Sequence, residues 1–388
     1  MVAHLYGEGV GLPQFSLLTG LSHYSVEAVM GFFVLSGCVI SLRDYTSAGG
    51  YYRARLLRIL PIYYAVFAVS VAAMLVLGVH FGVWQIIGNV FFLQSLDWEP
   101  LNPLRFFIPS WSLSFELYYY TAFVLIVLIP RLLLPLLATS IAVGFGLYLL
   151  SDLPEAAIWV LRAFSYFAMW LGGVLITRLA RSGYAVSLGT GTFMFSVGLC
   201  LARVPLGAAM KFDFARLFGV SVGFAFLVWA LLSASPLVSD PARRRTMLEF
   251  KPLTRTIIAA ATLTLLWGFS ESHRSTKVEA SVMLVLFTVA PAFLADLIGR
   301  LLRPATPLML YIAGISYALY LIHYPLLQTF NLWHPLPPLV DFVIVAALSF
   351  LLAHILEYGL QPWIRAKLRS RRPAFAVSAA AAKPAHGD

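Results

Sequence analysis

Eleven apolar stretches, each long enough or nearly so to cross a hydrocarbon layer of ~30 Å, follow one another along the chain. They fall near 23–42, 59–80, 110–129, 132–150, 158–177, 186–203, 214–235, 256–270, 280–298, 308–328 and 338–361. The stretch 256–270 is short, and 186–203 is rich in Gly and Thr. Nothing shows the short alternating pattern of a barrel strand, so the spans read as helices. The fold class that follows is all-α: a polytopic transmembrane helix bundle of about eleven spans. Composition agrees, because 60% of the residues are hydrophobic and only 11% are charged, against roughly 25% charged in a soluble domain. One globular core in water cannot hide that much apolar surface. Disorder, a secreted disulfide scaffold and a cytosolic enzyme are excluded on that ground.

The connectors between spans carry the net charge of +10. One alternate set holds Arg43, Arg53, Arg55 and Arg58, then Arg131, Arg178 and Arg181, then Arg243 to Arg245, Lys251 and Arg255, Arg300 and Arg303, and the tail from Arg365 to Arg372. The other set is mixed or acidic, with Asp97, Glu99, Asp152, Glu155, Glu271 and Glu279 among its members. By the positive-inside rule the first set faces the cytoplasm, and the C-terminus with it. The basic excess thus reports topology and contact with membrane lipids rather than nucleic acid. Residues 1–361 read as one membrane domain, and 362–388 as a basic, then Ala-rich tail without periodicity, expected to be disordered. The stretch 84–97, interrupted by Asn89 and Gln94, reads as an interfacial or re-entrant helix on the outer face. Cys38 and Cys200 lie in apolar runs and read as packing residues. No His, Asp or Glu cluster has ligand spacing, so no metal is expected.

Polar groups inside a membrane helix are costly, about 2.5–3.5 kcal/mol for an ionised one at the centre on insertion scales. The embedded ones are therefore informative. The stretch 110–129 opens Ser110-Trp111-Ser112-Leu113-Ser114-Phe115-Glu116 and continues through Tyr118, Tyr119 and Tyr120. Ser112, Glu116 and Tyr119 share a helical face by spacing. Glu116 is either a structural carboxylate or one that orients or relays a proton for a histidine. In 308–328, Ser316, Tyr320 and His323 share a face, and Pro325 is expected to break the helix just beyond. His323 divides evenly between a packing residue and a site residue. The first basic connector ends Arg53-Ala54-Arg55-Leu56-Leu57-Arg58-Ile59-Leu60-Pro61. Its arginines act as topology signals and lipid contacts or, with Arg55 and Arg58 three apart, as a paired fork for phosphates. Phe32-Phe33-Val34-Leu35-Ser36-Gly37 supplies a small-residue step suited to close helix packing.

Four of these pieces, in this order and spacing, resemble the acyltransferase-3 family of integral membrane acyltransferases. They are the Phe-Phe-x-x-Ser-Gly step, Arg-x-x-Arg-Ile-Leu-Pro, Pro-Ser-Trp-Ser-Leu-Ser-Phe-Glu and Ser-Tyr-x-Leu-Tyr-Leu-x-His-Tyr-Pro. The resemblance spans residues 4 to 325. It implies a bacterial inner-membrane O-acyltransferase that moves an acyl group, by family habit acetyl, from acyl-CoA to cell-surface carbohydrate such as polysaccharide or lipopolysaccharide, or to a lipid-linked sugar. Acyl-CoA would be a co-substrate, with no tightly bound cofactor. In the family a first helix carries an arginine and, eleven residues later, a histidine regarded as catalytic. His4 in His4-Leu5-Tyr6-Gly7 matches that histidine, and the rest of the helix is expected upstream of Met1. The family's acid two positions before the Phe-Phe step is replaced by Met30, with Glu27 the nearest carboxylate.

The mechanism implied has His4 as general base and Glu116 as its carboxylate partner, with Arg53, Arg55 and Arg58 on the CoA phosphates. Trp111, Ser112, Tyr119, Tyr320, His323 and Ser36 would contact substrate. Direct transfer is the first expectation, with a covalent acyl-His or acyl-Ser36 intermediate as the alternative. Two other function classes remain: a transporter or flippase for a sugar-containing substrate, for which no internal repeat is visible, and an inactive, truncated acyltransferase homologue.

Overall fold

The computed structural model describes residues 25–43, 47–96, 99–147, 155–204, 214–235, 238, 246–269, 274–333 and 337–370. His4 and the N-terminal stretch around it lie outside them. Fourteen α-helices carry the described residues: α1 (Ser25–Ser41), α2 (Ala48–Val76), α3 (Val83–Val90), α4 (Trp111–Leu128), α5 (Leu133–Gly146), α6 (Glu155–Arg181), α7 (Leu188–Leu201), α8 (Phe214–Ala234), α9 (Pro252–Phe269), α10 (Arg274–Val289), α11 (Pro291–Leu302), α12 (Thr306–Trp333), α13 (Pro338–His354) and α14 (Gln361–Ser370). A π-helical turn, Ile355–Leu360, joins the last two. Strands β1 (Tyr184–Val186) and β2 (Thr246–Leu248) form one short parallel pair.

Among the described residues seven helices are long and apolar enough to cross a membrane, and Val26–Ser41, Pro130–Gly146 and Leu188–Leu201 are shorter apolar helices. The expected span 280–298 is instead two helices, α10 and α11, which meet at Pro291. A proline has no N–H for the preceding turn, and its ring collides with that turn's carbonyl. Pro325 behaves differently, since α12 runs through it to Trp333. In a lipid environment the backbone has no water to turn to, so the helix persists once neighbours pack around the ring. Pro61 is likewise interior to α2, which begins at Ala48, where the Ser47 side chain accepts from the Gly50 N–H at 3.1 Å. The arginines expected in a connector are therefore on α2 itself. At the C-terminal end the chain stays helical past the expected domain limit at 361, through Ser370 in α14.

Contacts at the helix ends sort the connectors onto two faces. The β1–β2 pair ties the connector after α6 to the one after α8. Arg181 donates to the Leu42 carbonyl at 2.7 Å, and Arg178 to the Ile126 carbonyl at 3.2 Å. The C-terminal ends of α1, α4 and α6 thus share one face, and it is the face of the basic connectors. At the other face Glu27, at the start of α1, is ion-paired with Arg216 at the start of α8. α3 has eight residues and exposes Trp84, too short to span.

The main core joins α1, α2, α4, α6, α8 and α12 around Trp170, Tyr63, Phe33, Phe106, Phe107 and Phe115, all fully buried. Its tightest seam is between α1 and α6. A Cβ on Gly37 would lie 2.0 Å from the Trp170 carbonyl oxygen, and one on Gly173 would lie 2.0 Å from the Val34 carbonyl oxygen. Both glycines are required by this backbone-to-backbone approach, the usual device where lipid supplies no hydrophobic drive between helices.

Candidate active site

The α1–α6 seam brings Ser36, one residue before Gly37, against the indole of Trp170, whose Nε1–H donates to Ser36 Oγ at 3.3 Å. α4 approaches from the other side. Ser36 Oγ donates to Glu116 Oε1 at 2.5 Å, and the Tyr120 hydroxyl, one turn beyond Glu116, donates to the same oxygen. The Ser36 and Tyr120 oxygens are 3.3 Å apart. Glu116, Tyr120 and Trp170 are buried, and Ser36, at 9% exposure, is the most accessible of the four. A carboxylate held so far inside the bundle keeps its place because Ser36 and Tyr120 each supply it with a donor.

Immediately toward the basic face, Val39, Arg43, Ala54, Arg55, Leu57, Arg58 and Arg365 line a pocket of about 520 Å³, a size typical of ligand sites. Arg43 follows α1, Arg55 and Arg58 come from α2, and Arg365 from α14. Val39 is three residues, one helical turn, from Ser36, so pocket and polar cluster lie one above the other along α1. Arg55 bridges them: its guanidinium carbon is 5.6 Å from the centre of the Tyr120 ring. The Tyr51 hydroxyl donates to the Tyr120 carbonyl at 2.8 Å and locks α2 to α4 at the same level. Four guanidinium groups around one pocket are a strong attraction for an anion with several phosphate oxygens.

A sequence model of an acyltransferase domain matches residues 2–358. The chain belongs to the acyltransferase-3 family. No curated protein and no solved structure matches it. The acyltransferase therefore houses its basic pocket and buried carboxylate in a multi-pass membrane domain.

The residues singled out from sequence separate into two groups in this acyltransferase. Ser36 and Glu116 meet directly, and Arg55 and Arg58 line the same pocket; Arg53 is not among its lining residues. Arg58 is not a simple partner of Arg55, because it is ion-paired with the buried Glu357 of the π turn, and its Nη1 donates to Gln361 Oε1 at 3.0 Å. The second group is one turn nearer the opposite face. Ser112 Oγ and the Tyr320 hydroxyl are 2.9 Å apart, and that hydroxyl donates to the Pro109 carbonyl at 2.7 Å. His323 is buried, with Nδ1 3.0 Å from the Leu319 carbonyl oxygen. Trp111 is half-buried, edge-on to Phe115.

Tyr119 departs from the helical-face expectation. Its hydroxyl donates to the Ala163 carbonyl at 2.7 Å and its ring stacks on Phe167, so it packs α4 on α6 while Tyr120 meets Glu116. The 3.6-residue period permits either neighbour, and which helix sits on which side decides the outcome. Glu27, considered for the missing acid of the Phe-Phe step, is paired with Arg216 at the far face. Tyr120, Trp170, Glu357 and Arg365 were missed from sequence. Glu357 carried the signal used for Glu116, a carboxylate inside an apolar stretch, and Tyr120 sits four residues after Glu116.

Proposed function

We propose that this acyltransferase takes its acyl group from acyl-CoA at the basic face and transfers it to a hydroxyl of a cell-surface or lipid-linked carbohydrate, with acetyl as the expected acyl group. The observation that carries this reading is the pocket lined by Arg43, Arg55, Arg58 and Arg365 directly beside the Glu116 cluster. CoA presents phosphates on its nucleotide and a thioester at the end of a long neutral arm. Guanidinium groups bind the former bidentately, and the arm then reaches inward past Val39. By the positive-inside rule the basic face is cytoplasmic, where acyl-CoA is made, and the inner membrane of a bacterium is the compartment this implies.

His4, from the family resemblance, acts as general base on the acceptor hydroxyl, a role worth ~10²–10⁴-fold, and Glu116 is its carboxylate partner. The acceptor approaches from the opposite face. There Trp111 offers a stacking surface, and Ser112, Tyr320 and His323 offer polar groups for sugar hydroxyls.

Purified protein in nanodiscs, given labelled acetyl-CoA and membrane carbohydrate fractions, should release CoA and label the carbohydrate. Arg55→Ala should raise the acetyl-CoA concentration needed for half-maximal rate. His4→Ala should abolish transfer while leaving the protein inserted. Absence of acetyl-CoA binding and of CoA release in the wild-type protein would overturn the reading in favour of a transporter or an inactive homologue.

A further inference from the structure

The Glu116 cluster has the arrangement of an activated nucleophile. Such a site needs a weak nucleophile within hydrogen-bond reach of a base, and a third group that holds the base in place. Ser36 Oγ donates to Glu116 at 2.5 Å, and Tyr120 donates to the same carboxylate oxygen. The Trp170 N–H points at Ser36 Oγ from the other side at 3.3 Å, placed to stabilise negative charge building there. Ser36 also keeps the greatest exposure of the four and lies one turn from Val39 in the pocket wall.

A purely structural carboxylate in this place needs donors, and any donors suffice. Here one of them is a hydroxyl one helical turn from Val39 of the pocket wall, held between a base and an N–H, on a helix whose position is set by the Gly37 and Gly173 contacts.

Building on the acyl-CoA reading above, we infer that Ser36 is acylated during turnover, with Glu116 as its base and Tyr120 and Trp170 as positioning residues, so that the reaction runs through an acyl-enzyme ester. In the first half-reaction the Ser36 proton passes to Glu116 as Oγ attacks the thioester carbonyl. The carbon–sulfur bond breaks, and the CoA thiolate takes the proton back from Glu116 and leaves as the thiol. In the second, the acceptor hydroxyl loses its proton as it attacks the Ser36 ester. The carbon–Oγ bond breaks and Oγ takes that proton up. The sum is acyl-CoA plus alcohol giving ester plus CoA thiol, with no redox change. A two-step route also suits a donor and an acceptor that approach from opposite faces, because the two need never be bound together.

The test is isotope exchange by the full-length protein in nanodiscs: labelled CoA is supplied with unlabelled acetyl-CoA and no carbohydrate. Label should enter acetyl-CoA, and intact-protein mass should rise by one acetyl group on the peptide bearing Ser36. Ser36→Ala should lose both signals, at least 100-fold for exchange. Ser36→Cys should keep exchange while making the bound acetyl labile to neutral hydroxylamine, as a thioester is. Glu116→Gln should slow exchange by a similar factor, with thermal unfolding showing the protein still assembled. CoA release that requires carbohydrate, with no exchange and no acetylated protein, overturns the Ser36 intermediate and leaves the acyl-CoA reading intact. Wild-type protein that neither binds acetyl-CoA nor releases CoA with carbohydrate present overturns that reading, and this inference with it.

Discussion

The helices around Ser36 and Glu116 and those around α9 and α10 are made of similarly apolar sequence, yet they use their polar side chains in opposite ways. In the first region polar groups bond across the bundle between distant parts of the chain: Ser36 to Glu116, Arg58 to Glu357, Ser112 to Tyr320. In the second, hydroxyls mostly fold back on their own helix, as Thr262 does to the Ile258 carbonyl and Thr288 to the Leu284 carbonyl. The packing differs in the same sense. In the membrane-length window of α6 61% of residues are buried, against 17% for α9. Phe193, Val197, Cys200, Val204, Ala259, Leu266, Ala280 and Leu284 form the smaller core there. A hydroxyl satisfied within its own helix needs no particular neighbour, whereas one shared between helices specifies which helices must meet. The first region is therefore specified by its polar contacts, and the second by length and hydrophobicity.

The contrast is open to direct test. Gly173→Val in the first region should have the largest effect. Its new Cβ would meet the Val34 backbone, which has little freedom to yield, so the cost exceeds the ~1–3 kcal/mol of ordinary overpacking. The expected outcome is loss of monodisperse protein on size-exclusion chromatography; normal yield and activity would show that the α1–α6 seam is not required. Next, Glu116→Gln should lower acyl transfer about 100-fold, within the range for a proton-transfer group, read as the rate of CoA release. A drop under threefold would assign Glu116 to the structural role alone.

Arg55→Ala should weaken acetyl-CoA binding about tenfold, as expected for one charge-assisted contact, measured by calorimetry. Glu357→Gln should leave binding within about threefold or tighten it, since it releases Arg58 toward the pocket; weaker binding in Glu357→Gln than in Arg55→Ala would reverse these roles. The smallest effect belongs to the second region. Leu286→Ala, on the exposed side of α10, should shift stability by no more than ~0.5 kcal/mol with turnover unchanged. A large loss there would mean that α10 takes part in the chemistry.

How much of this was legible in the sequence follows the same division. Long apolar runs announced helices, because a backbone in lipid has no other way to satisfy itself, and the close step at Ser36-Gly37 announced tight packing. Breaks and starts were harder. Pro291 separates two helices where one span was expected, while Pro325 sits inside α12, and a proline's effect depends on whether neighbouring helices hold the chain together across it. The candidate site was half visible. Ser36, Glu116, Arg55 and Arg58 each stood out as polar groups in apolar surroundings, but Tyr120 and Trp170 are ordinary aromatic residues until their partners are known. Arg365 belongs to a stretch that composition assigned to a disordered tail, and its place in the pocket arises because the π turn and α14 carry it back against α2.

Taken alone, the order of residues determined the helical class, the membrane setting, the basic face and the family, because each depends on local composition and spacing. Which donors surround Glu116, which arginines share one pocket and which carboxylate restrains Arg58 were decided only in three dimensions. The Ser36–Glu116 bond joins residues 80 positions apart in the chain and the Arg58–Gln361 bond residues 303 apart, and a helical repeat fixes which side of a helix a residue occupies but not which helix it will face.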